Sequence, residues 1–317
     1  MKKTISIITP CYNEEENVRD CYHAVKALFT GPLQNYHREH IFCDNCSLDR
    51  TVEILREIAT TDPVVKVILN ASNFGPMRST YNGVLNASGD AILLFLPADM
   101  QDPPDLLPQF VNLWEQGYEI VYGIRATRAE SWLMSSVRRV YYRLISSLSY
   151  IKVPPDVGDF QLIDRKVLLA MRQIDDAYPF MRLMTFECGF RAIGVNYHWQ
   201  ARRKGFSKNR LSSLIDQGLN GIITFTNVPL RIALFTGTIV ASLSILYAFV
   251  TVIISLVVRG EVAPPGITTL IVALFFFSGV QLFFLGMMGE YILAIYGQVR
   301  KKPLVIERER INFPSQE

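Results

Sequence analysis

The sequence lacks the charge pattern of a nucleic-acid-binding protein. Its 317 residues carry a formal net charge of only +3, and no long basic run interleaved with aromatic residues occurs. Because such runs are the usual electrostatic footprint on phosphate backbones, a nucleic acid is not expected as a partner. The chain also has no internal repeat and no low-complexity segment. Its length allows one substantial domain plus a smaller part.

Cysteines are too few and too irregularly spaced for a zinc site or a disulfide framework. There are five, an odd number, and all precede the long hydrophobic segments. The Cys43–Cys46 pair has Cys-x-x-Cys spacing, but neither a second such pair nor a nearby histidine pair completes a zinc site. We therefore predict ordinary thiols in a reducing cytosol. The N-terminus also lacks the apolar core and cleavage site of a signal peptide.

Strand and helix patterns alternate through the first part of the chain. The predicted strands are Thr4–Thr9, His40–Cys43, Val64–Leu69, Ala91–Leu96 and Glu119–Tyr122, and helix-like composition separates them. This alternation predicts an α/β domain with a Rossmann-like, doubly wound, mostly parallel sheet. Ligands of such sheets bind at the carboxyl ends of the strands, and the polar clusters of this sequence fall at those ends.

Two long stretches in the last third of the chain carry no charge. Ile232–Val258 and Ile267–Gly289 are both long enough to cross a bilayer, and the linker Arg259–Gly266 between them contains a turn-forming Pro-Pro-Gly. Basic residues precede the first stretch and follow the second. We therefore predict two transmembrane helices with both ends in the cytoplasm.

The segment Asn209–Phe225 has an apolar stripe at helical spacing. A helix packed in a soluble core would have the same pattern, but the adjoining hydrophobic stretch favours a helix in the membrane interface. The predicted parts are an α/β domain at 1–208, an amphipathic juxtamembrane helix at 209–229, two transmembrane helices within 230–299 and a cytoplasmic tail at 300–317. Small residues in the spans favour a homo-oligomer, of which a tetramer is one form.

Acidic and amide side chains follow two predicted strands. Asp44 is placed to accept hydrogen bonds from a nucleobase or ribose, although a structural aspartate in a turn would look the same. Asp99 and Gln101 end the most apolar strand, and their oxygen atoms suit Mg²⁺ or Mn²⁺ bridging a diphosphate. The alternative, a carboxylate that caps the following helix, suits Asp102 better than Asp99.

Several basic residues are candidate phosphate ligands, since arginine matches phosphate oxygens bidentately. We assign binding of the acceptor phosphate to Arg125, Arg128, Arg138 and Arg139, although solvated helix arginines would show the same pattern. Arg203, Ser207 and Lys208 lie on a loop before the interfacial helix, where they are expected to bind the donor diphosphate or a lipid phosphate.

The order of the polar segments resembles family 2 glycosyltransferases of GT-A fold. The segments that carry the resemblance are Pro10–Asn17, Asp44–Thr51, Asn73–Gly75, Asp99–Pro104, Val157–Arg165 and Gly205–Lys208. With two C-terminal spans, the chain is similar to bacterial undecaprenyl-phosphate glucosyltransferases and dolichol-phosphate mannosyltransferases. The resemblance implies a nucleotide-sugar donor, a divalent metal and a polyprenyl-phosphate acceptor.

Residue by residue, the resemblance makes Pro10, Tyr12, Glu14 and Asp44 donor contacts and Asp99 with Gln101 the metal ligands. It also makes Asp159 the catalytic carboxylate, with Asp156 in reserve. A helix cap, or an ion-pair partner for Arg165, is the ordinary alternative for Asp159.

The sequence departs from the family pattern at three places. Pro97 replaces the first aspartate of the metal motif, Asn45-Cys46 replaces Asp-Gly, and Gln161 stands where arginine is common. A missing carboxylate is expected to weaken or reshape metal binding.

The expected activity is inverting transfer of a hexose from a nucleotide-sugar, with UDP-glucose as the first candidate, to undecaprenyl phosphate at a bacterial inner membrane. Two alternatives remain open. One is the same reaction with GDP-mannose, a UDP-aminosugar or formamido-arabinose as donor. The other is a catalytically silent membrane scaffold, which the proline at position 97 favours.

Overall fold

The computed structural model describes residues 2–127, 154, 157–174, 176, 179–198, 235–240, 242–243, 246, 267–300 and 302–314. These residues belong to two compact units. The first unit contains the described residues up to 198 together with residues 302–314. The second contains the described residues from 235 to 300.

An eight-stranded mixed sheet forms the centre of the first unit. Its strands are β1 (Thr4–Cys11), β2 (His37–Asp44), β3 (Val65–Asn70), β4 (Ala91–Leu93), β5 (Ile120–Thr127), β6 (Val157–Asp164), β7 (Ala192–His198) and β8 (Glu307–Ile311). Their spatial order is β7-β5-β6-β4-β1-β2-β3-β8. Of these eight strands, β6 and β8 run antiparallel to their neighbours and the other pairings are parallel, so the expected mostly parallel sheet is confirmed.

Helices accompany the sheet on both sides. They are α1 (Val18–Thr30), α2 (Thr51–Thr61), α3 (Pro76–Leu85), α4 (Leu107–Glu115), α5 (Arg165–Met171) and α6 (Met181–Glu187), with a 3₁₀ turn at Pro104–Leu106. Successive residues of a strand point to opposite faces of a sheet. Ile7 and Ile8 of β1 both have no exposed surface, so both faces of the sheet are covered. A doubly wound arrangement, as predicted, requires such coverage of both faces.

The apolar run that follows Asp90 is only partly a strand. A strand was predicted over Ala91–Leu96, but the regular ladder ends at Leu93. The Leu94 N–H still bonds to the Gln161 carbonyl at 2.9 Å, and the Leu96 N–H bonds to the Ile8 carbonyl at 2.9 Å. The rest of the run therefore stays in the core without strand geometry, and it brings the chain to Pro97 and Asp99.

The last strand, β8, lies within the segment that was predicted to be a tail. It pairs with β3, and side chains of two helices hold it and the residues just before it: Arg56 of α2 bonds to Glu309, Asn82 of α3 donates to Glu307 at 2.6 Å, and Arg78 of α3 donates to the Pro303 carbonyl at 2.8 Å. Its sequence, Glu-Arg-Glu-Arg-Ile, has no strand-like apolar alternation. Charged side chains are typical of an edge strand, since they oppose further pairing.

The second unit contains one long apolar helix, α7 (Ile267–Val299, 33 residues). Within the described part of the chain, one stretch is long and apolar enough to cross a membrane, Phe277–Val299. The sequence predicted two such helices, and it ended the second at Gly289, whereas α7 continues for two to three further turns. The first predicted span, Ile232–Val258, lies mostly outside the described residues, although 235–240, 242–243 and 246 are helical.

All five cysteines are free, as the sequence analysis predicted. Burial raises the pKa of the Cys11, Cys21 and Cys43 thiols. These three side chains pack as small apolar groups in the core.

Candidate active site at the carboxyl edge of the sheet

The strand directions bring distant polar residues to one edge of the sheet. The carboxyl ends of the parallel strands β1 to β4 lie at this edge. Since β6 runs antiparallel to β4, its first residues, including Asp159, reach the same edge. β5 and β7 run parallel to each other and antiparallel to β6, so Arg125 and Tyr197 also lie there.

The predicted donor contacts Pro10, Tyr12 and Glu14 lie at the end of β1 and just after it, and all three are partly buried. Hydrogen bonds join this loop to the one after β2. The Asn13 N–H donates to Ser47 Oγ at 2.9 Å, and the Glu14 N–H donates to Thr51 Oγ1 at 2.8 Å. The two loops therefore hold each other at the edge of the sheet.

Asp44, the last residue of β2, has no exposed surface. Its Oδ2 accepts the Ser47 N–H at 3.1 Å, while Oδ1 is buried with no hydrogen-bond partner among the described residues. Burial raises the pKa of the Asp44 carboxyl, although hydrogen bonds from Ser47 oppose the rise. An unpaired buried acceptor costs free energy that a ligand's N–H or O–H donor would recover.

Asn45 connects the loop after β2 to the loop between β3 and α3. Its Oδ1 accepts the Phe74 N–H at 3.0 Å and the Asn70 Nδ2 at 3.2 Å, and its Nδ2 donates to Asn73 Oδ1 at 2.7 Å. The sequence marked Asn45 only as a departure from the family pattern. Its side chain fixes the loop beside Asp44, a contact that no local signal indicates.

Unusual backbone conformations are concentrated at this edge. Among the described non-glycine residues, four have positive φ, and three of these follow β1, β2 and β4: Asn13 at 53°, Cys46 at 66° and Met100 at 52°. This region is strained for residues with a side chain and occurs preferentially at functional sites. Cys46 stands where the family pattern has glycine, the residue that adopts this conformation without strain.

The predicted metal ligands, Asp99 and Gln101, lie in the segment that follows β4, beyond the non-strand residues Leu94–Leu96. Asp99 is buried, at 7% exposure, and its Oδ1 accepts the Gln101 N–H at 3.3 Å. Gln101 is partly buried. The described residues contain no group of three or more His, Cys, Asp or Glu side chains that would hold a metal ion by themselves.

Asp102 does not cap a helix, contrary to the alternative suggested by the sequence. It is 1% exposed and forms a buried ion pair with Arg125, whose Nη2 lies 3.2 Å from both carboxylate oxygens. The Tyr197 hydroxyl donates to Asp102 Oδ1 and accepts the Arg125 Nε–H at 3.0 Å. Burial raises the pKa of Asp102, and the charge of Arg125 opposes the rise. Tyr197 was not identified from the sequence.

Asp159, the predicted catalytic carboxylate, is 9% exposed. Its ion-pair partner is Arg182 of α6, rather than Arg165 as the alternative proposed. The Arg182 Nε–H donates to Asp159 Oδ1 at 3.1 Å, and Nη2 donates to Oδ2. Arg165 instead donates to the Ala87 carbonyl. Arg182 carries no sequence signal, because 23 residues separate it from Asp159.

The other predicted site residues lie outside the described residues. They are the reserve carboxylate Asp156, the acceptor-phosphate candidates Arg128, Arg138 and Arg139, and the donor candidates Arg203, Ser207 and Lys208. Their roles remain predictions.

A mostly parallel α/β sheet with buried carboxylates at its carboxyl edge is the arrangement of GT-A glycosyltransferases. The chain belongs to glycosyl transferase family 2, whose pattern matches residues 6–171, and it is therefore a glycosyltransferase.

The relatives extend the similarity beyond the catalytic domain. "Uncharacterized glycosyltransferase YkcC" of Bacillus subtilis is 36% identical over 95% of this chain and 92% of its own. The "SfII prophage-derived bactoprenol glucosyl transferase" of Shigella flexneri is 32% identical over 95% of this chain and 96% of its own. Among solved structures, glucosyl-3-phosphoglycerate synthase from Mycobacterium tuberculosis with Mn²⁺, UDP-glucose and phosphoglyceric acid matches with a TM-score of 0.48, at 19% identity over 70% of this chain and 78% of that one.

Proposed function

We propose that the protein transfers a hexose from a nucleotide-sugar to undecaprenyl or another polyprenyl phosphate, with inversion at the anomeric carbon. One observation carries this proposal: buried carboxylates and two arginine–carboxylate pairs meet at one sheet edge, in a chain that matches a bactoprenol glucosyl transferase over nearly its full length. Glucose from UDP-glucose is the first candidate donor, since the name of that relative specifies glucosyl transfer.

On the donor side, Asp44 Oδ1, which has no hydrogen-bond partner in the described part of the chain, fits an N–H of a nucleobase or a ribose hydroxyl. Pro10, Tyr12 and Glu14 lie on the adjoining loop and are proposed to line the same nucleoside site. Asn45 holds the β3–α3 loop at its other side. In this proposal the three loops surround one nucleoside.

Asp99 and Gln101 fit a hard divalent cation, Mg²⁺ or Mn²⁺, because both present oxygen donors. One carboxylate does not complete a coordination sphere, but Mg²⁺ sites often take ligands from water and substrate phosphates. When bound, the cation supplies Lewis-acid stabilisation of the departing diphosphate. Because Pro97 replaces the first carboxylate of the family motif, cation binding depends on Asp99 more strongly here than in a site with two carboxylates.

On the acceptor side, the lipid phosphate is already anionic near neutral pH, since its second pKa is about 6. Its oxygen therefore attacks the anomeric carbon with little need of proton removal. The bond to the diphosphate breaks in the same displacement, which inverts the centre. Asp159 orients the acceptor in this proposal, and Arg125, Arg128, Arg138 and Arg139 are candidates to neutralise its phosphate.

The enzyme is proposed to lie at the inner membrane of a bacterium, with its catalytic domain in the cytoplasm. Large apolar side chains are exposed along the length of α7, as expected for a helix in lipid. The chain leaves the first unit before this helix and returns to it in β8, which pairs with β3. A chain whose two ends belong to one folded unit crosses a bilayer an even number of times, which favours two spans.

This topology predicts which cysteine substitutions react with an impermeant thiol reagent in intact cells. In a background lacking the partly exposed Cys46 and Cys188, Ala263→Cys in the linker is expected to react, because the linker faces the periplasm. Ser315→Cys near the C-terminus should react only after permeabilisation. Labelling of the tail but not of the linker would overturn the orientation.

The amphipathic segment Asn209–Phe225 is proposed to hold the active site at the membrane surface, where the acceptor's phosphate lies. A homo-oligomer is also proposed. A Cβ atom added to Gly237, Gly279 or Gly286 would have no neighbour within 4 Å in the described part of the chain, which leaves room for the close approach of a second helix.

The proposed activity is tested by transfer of labelled sugar into butanol-extractable lipid. We expect purified protein with undecaprenyl phosphate and Mg²⁺ or Mn²⁺ to use UDP-glucose, and the product to carry a β-linked glucose because the donor is α-linked. UDP-aminosugars, UDP-formamido-arabinose and GDP-mannose serve as competing donors. Preferred use of one of these would correct the sugar but keep the reaction class. No transfer from any donor would instead favour the catalytically silent scaffold.

A further inference from the structure

Asp159 and Arg182 form a forked ion pair at the acceptor side of the site. Two guanidinium nitrogens of Arg182, Nε and Nη2, donate to the two different oxygens of the carboxylate. The side chains are only 10% and 18% exposed. Such a fork fixes the plane of a carboxylate, which a single hydrogen bond or a lysine does not.

The helix that carries Arg182, α6, is itself held in place by β6. Gln161, two residues after Asp159 on this strand, is completely buried. Its Nε2 donates to the Arg182 carbonyl at 3.2 Å, and its Oε1 accepts the Thr185 hydroxyl at 2.8 Å. The first turn of α6 is therefore tied to the same strand that carries Asp159, and the Phe180 ring lies 5.5 Å from the guanidinium.

The charges around Asp159 explain why its carboxylate is paired with a guanidinium. The charge of Asp159 acts on both Asp102 and Arg125, so two carboxylates lie within electrostatic reach of one another. Arg125 is bonded to Asp102, and the guanidinium of Arg182 is bonded to Asp159. Without it, Asp159 would be repelled by Asp102 and by an incoming phosphate.

We propose that Arg182 is a positioning residue, which holds the Asp159 carboxylate in the one orientation that aligns the acceptor phosphate for attack. This inference rests on the proposed function. Arg182 acts through Asp159, so its loss should impair the step that depends on the acceptor. Donor binding should be unaffected, since the proposed nucleoside loops follow β1, β2 and β3, on the other side of β4.

The experiment compares the steady-state kinetics of Arg182→Gln, Asp159→Asn and the double variant, using UDP-glucose and undecaprenyl phosphate. Misplacement of a reacting group by about 1 Å costs about 100-fold, so we expect Arg182→Gln to lower kcat about 100-fold. The KM for the donor should stay within about twofold of wild type, because the misplaced carboxylate acts on the acceptor and not on the donor in this proposal. Arg182→Lys, which keeps the charge but loses the fork, should recover only part of the rate.

The double variant separates positioning from a structural role. If Arg182 acts through Asp159, adding Arg182→Gln to Asp159→Asn should cause little further loss, because residues that act as a unit are non-additive. The double variant also leaves no unpaired charge, which protects it from a folding defect. Arg172→Gln is the matched control, since Arg172 directly follows α5 and its Nη2 donates to the Leu85 carbonyl rather than to a carboxylate.

A near-normal kcat in Arg182→Gln would overturn the positioning role while leaving the proposed function intact. The same holds if the loss of kcat in the double variant equals the product of the losses in the two single variants. An equal loss in the Arg172→Gln control would also overturn it, by showing a general effect of arginine removal. Lack of transfer by the wild-type protein would reject the proposed function, and the inference with it.

Discussion

Replacing Asp99 by asparagine is expected to lower turnover at least about 100-fold while leaving the fold intact. Asparagine keeps the volume of the side chain and an oxygen that accepts the Gln101 N–H. It removes the negative charge, and loss of one electrostatic contribution to a transition state commonly costs about 100- to 1,000-fold. Because Pro97 leaves no second carboxylate in the motif, we expect the full loss to appear.

The measurement is the transfer rate over a range of Mg²⁺ and Mn²⁺ concentrations, with a Mn²⁺-binding titration in the presence of nucleotide. We expect Asp99→Asn to bind Mn²⁺ more weakly. Asp105→Asn is the matched control, because Asp105 is an exposed carboxylate in the same segment. Normal turnover of the Asp99 variant at all metal concentrations would show that Asp99 is not a metal ligand.

Replacing Asp102 by alanine is expected to destabilise the catalytic unit by about 3–5 kcal/mol, because it leaves the mostly buried guanidinium of Arg125 without its carboxylate. For a domain of this size, such a loss lowers the unfolding midpoint by roughly 10 °C. The buried Trp114, whose indole N–H donates to Asp164 at 2.8 Å, provides a fluorescence signal for this unit in detergent-solubilised protein.

Two further variants test the physical cause. Asp102→Ala combined with Arg125→Leu should recover part of the lost stability, since no unpaired charge remains. Glu115→Gln removes an exposed ion pair with Lys3, at 2.8 Å, and should change stability by only about 0–1 kcal/mol. An unchanged midpoint in Asp102→Ala would contradict the importance of the buried pair for stability.

The placement of the proposed donor and metal residues at one sheet edge was largely predictable from the sequence. Tyr12, Glu14, Asp44 and Asp99 directly follow apolar strand-like runs, and parallel strands bring their carboxyl ends to one edge. The prediction needed only local patterns and the direction of the strands. Strand direction alone did not predict that Asn45 would hold the loop at Asn73, because that contact depends on how two loops pack.

The acceptor half depended on tertiary structure. For Asp102 the sequence suggested only the alternative of a helix cap, whereas its partners in the structure, Arg125 and Tyr197, lie 23 and 95 residues further along the chain. Asp159 was identified, but its partner Arg182 was not. Nothing in the chemistry of an isolated arginine shows which carboxylate it will meet.

By itself, the sequence determined the class of the sheet, the edge at which most of the candidate carboxylates lie and the presence of a long apolar helix. These features follow from hydrophobic periodicity and from residues adjacent in the chain. Only the tertiary structure decided which guanidinium neutralises each carboxylate, and that the charged strand β8 completes the sheet beside β3. Such pairings join residues far apart in sequence, so they are set by packing of the whole unit and leave no local pattern to detect.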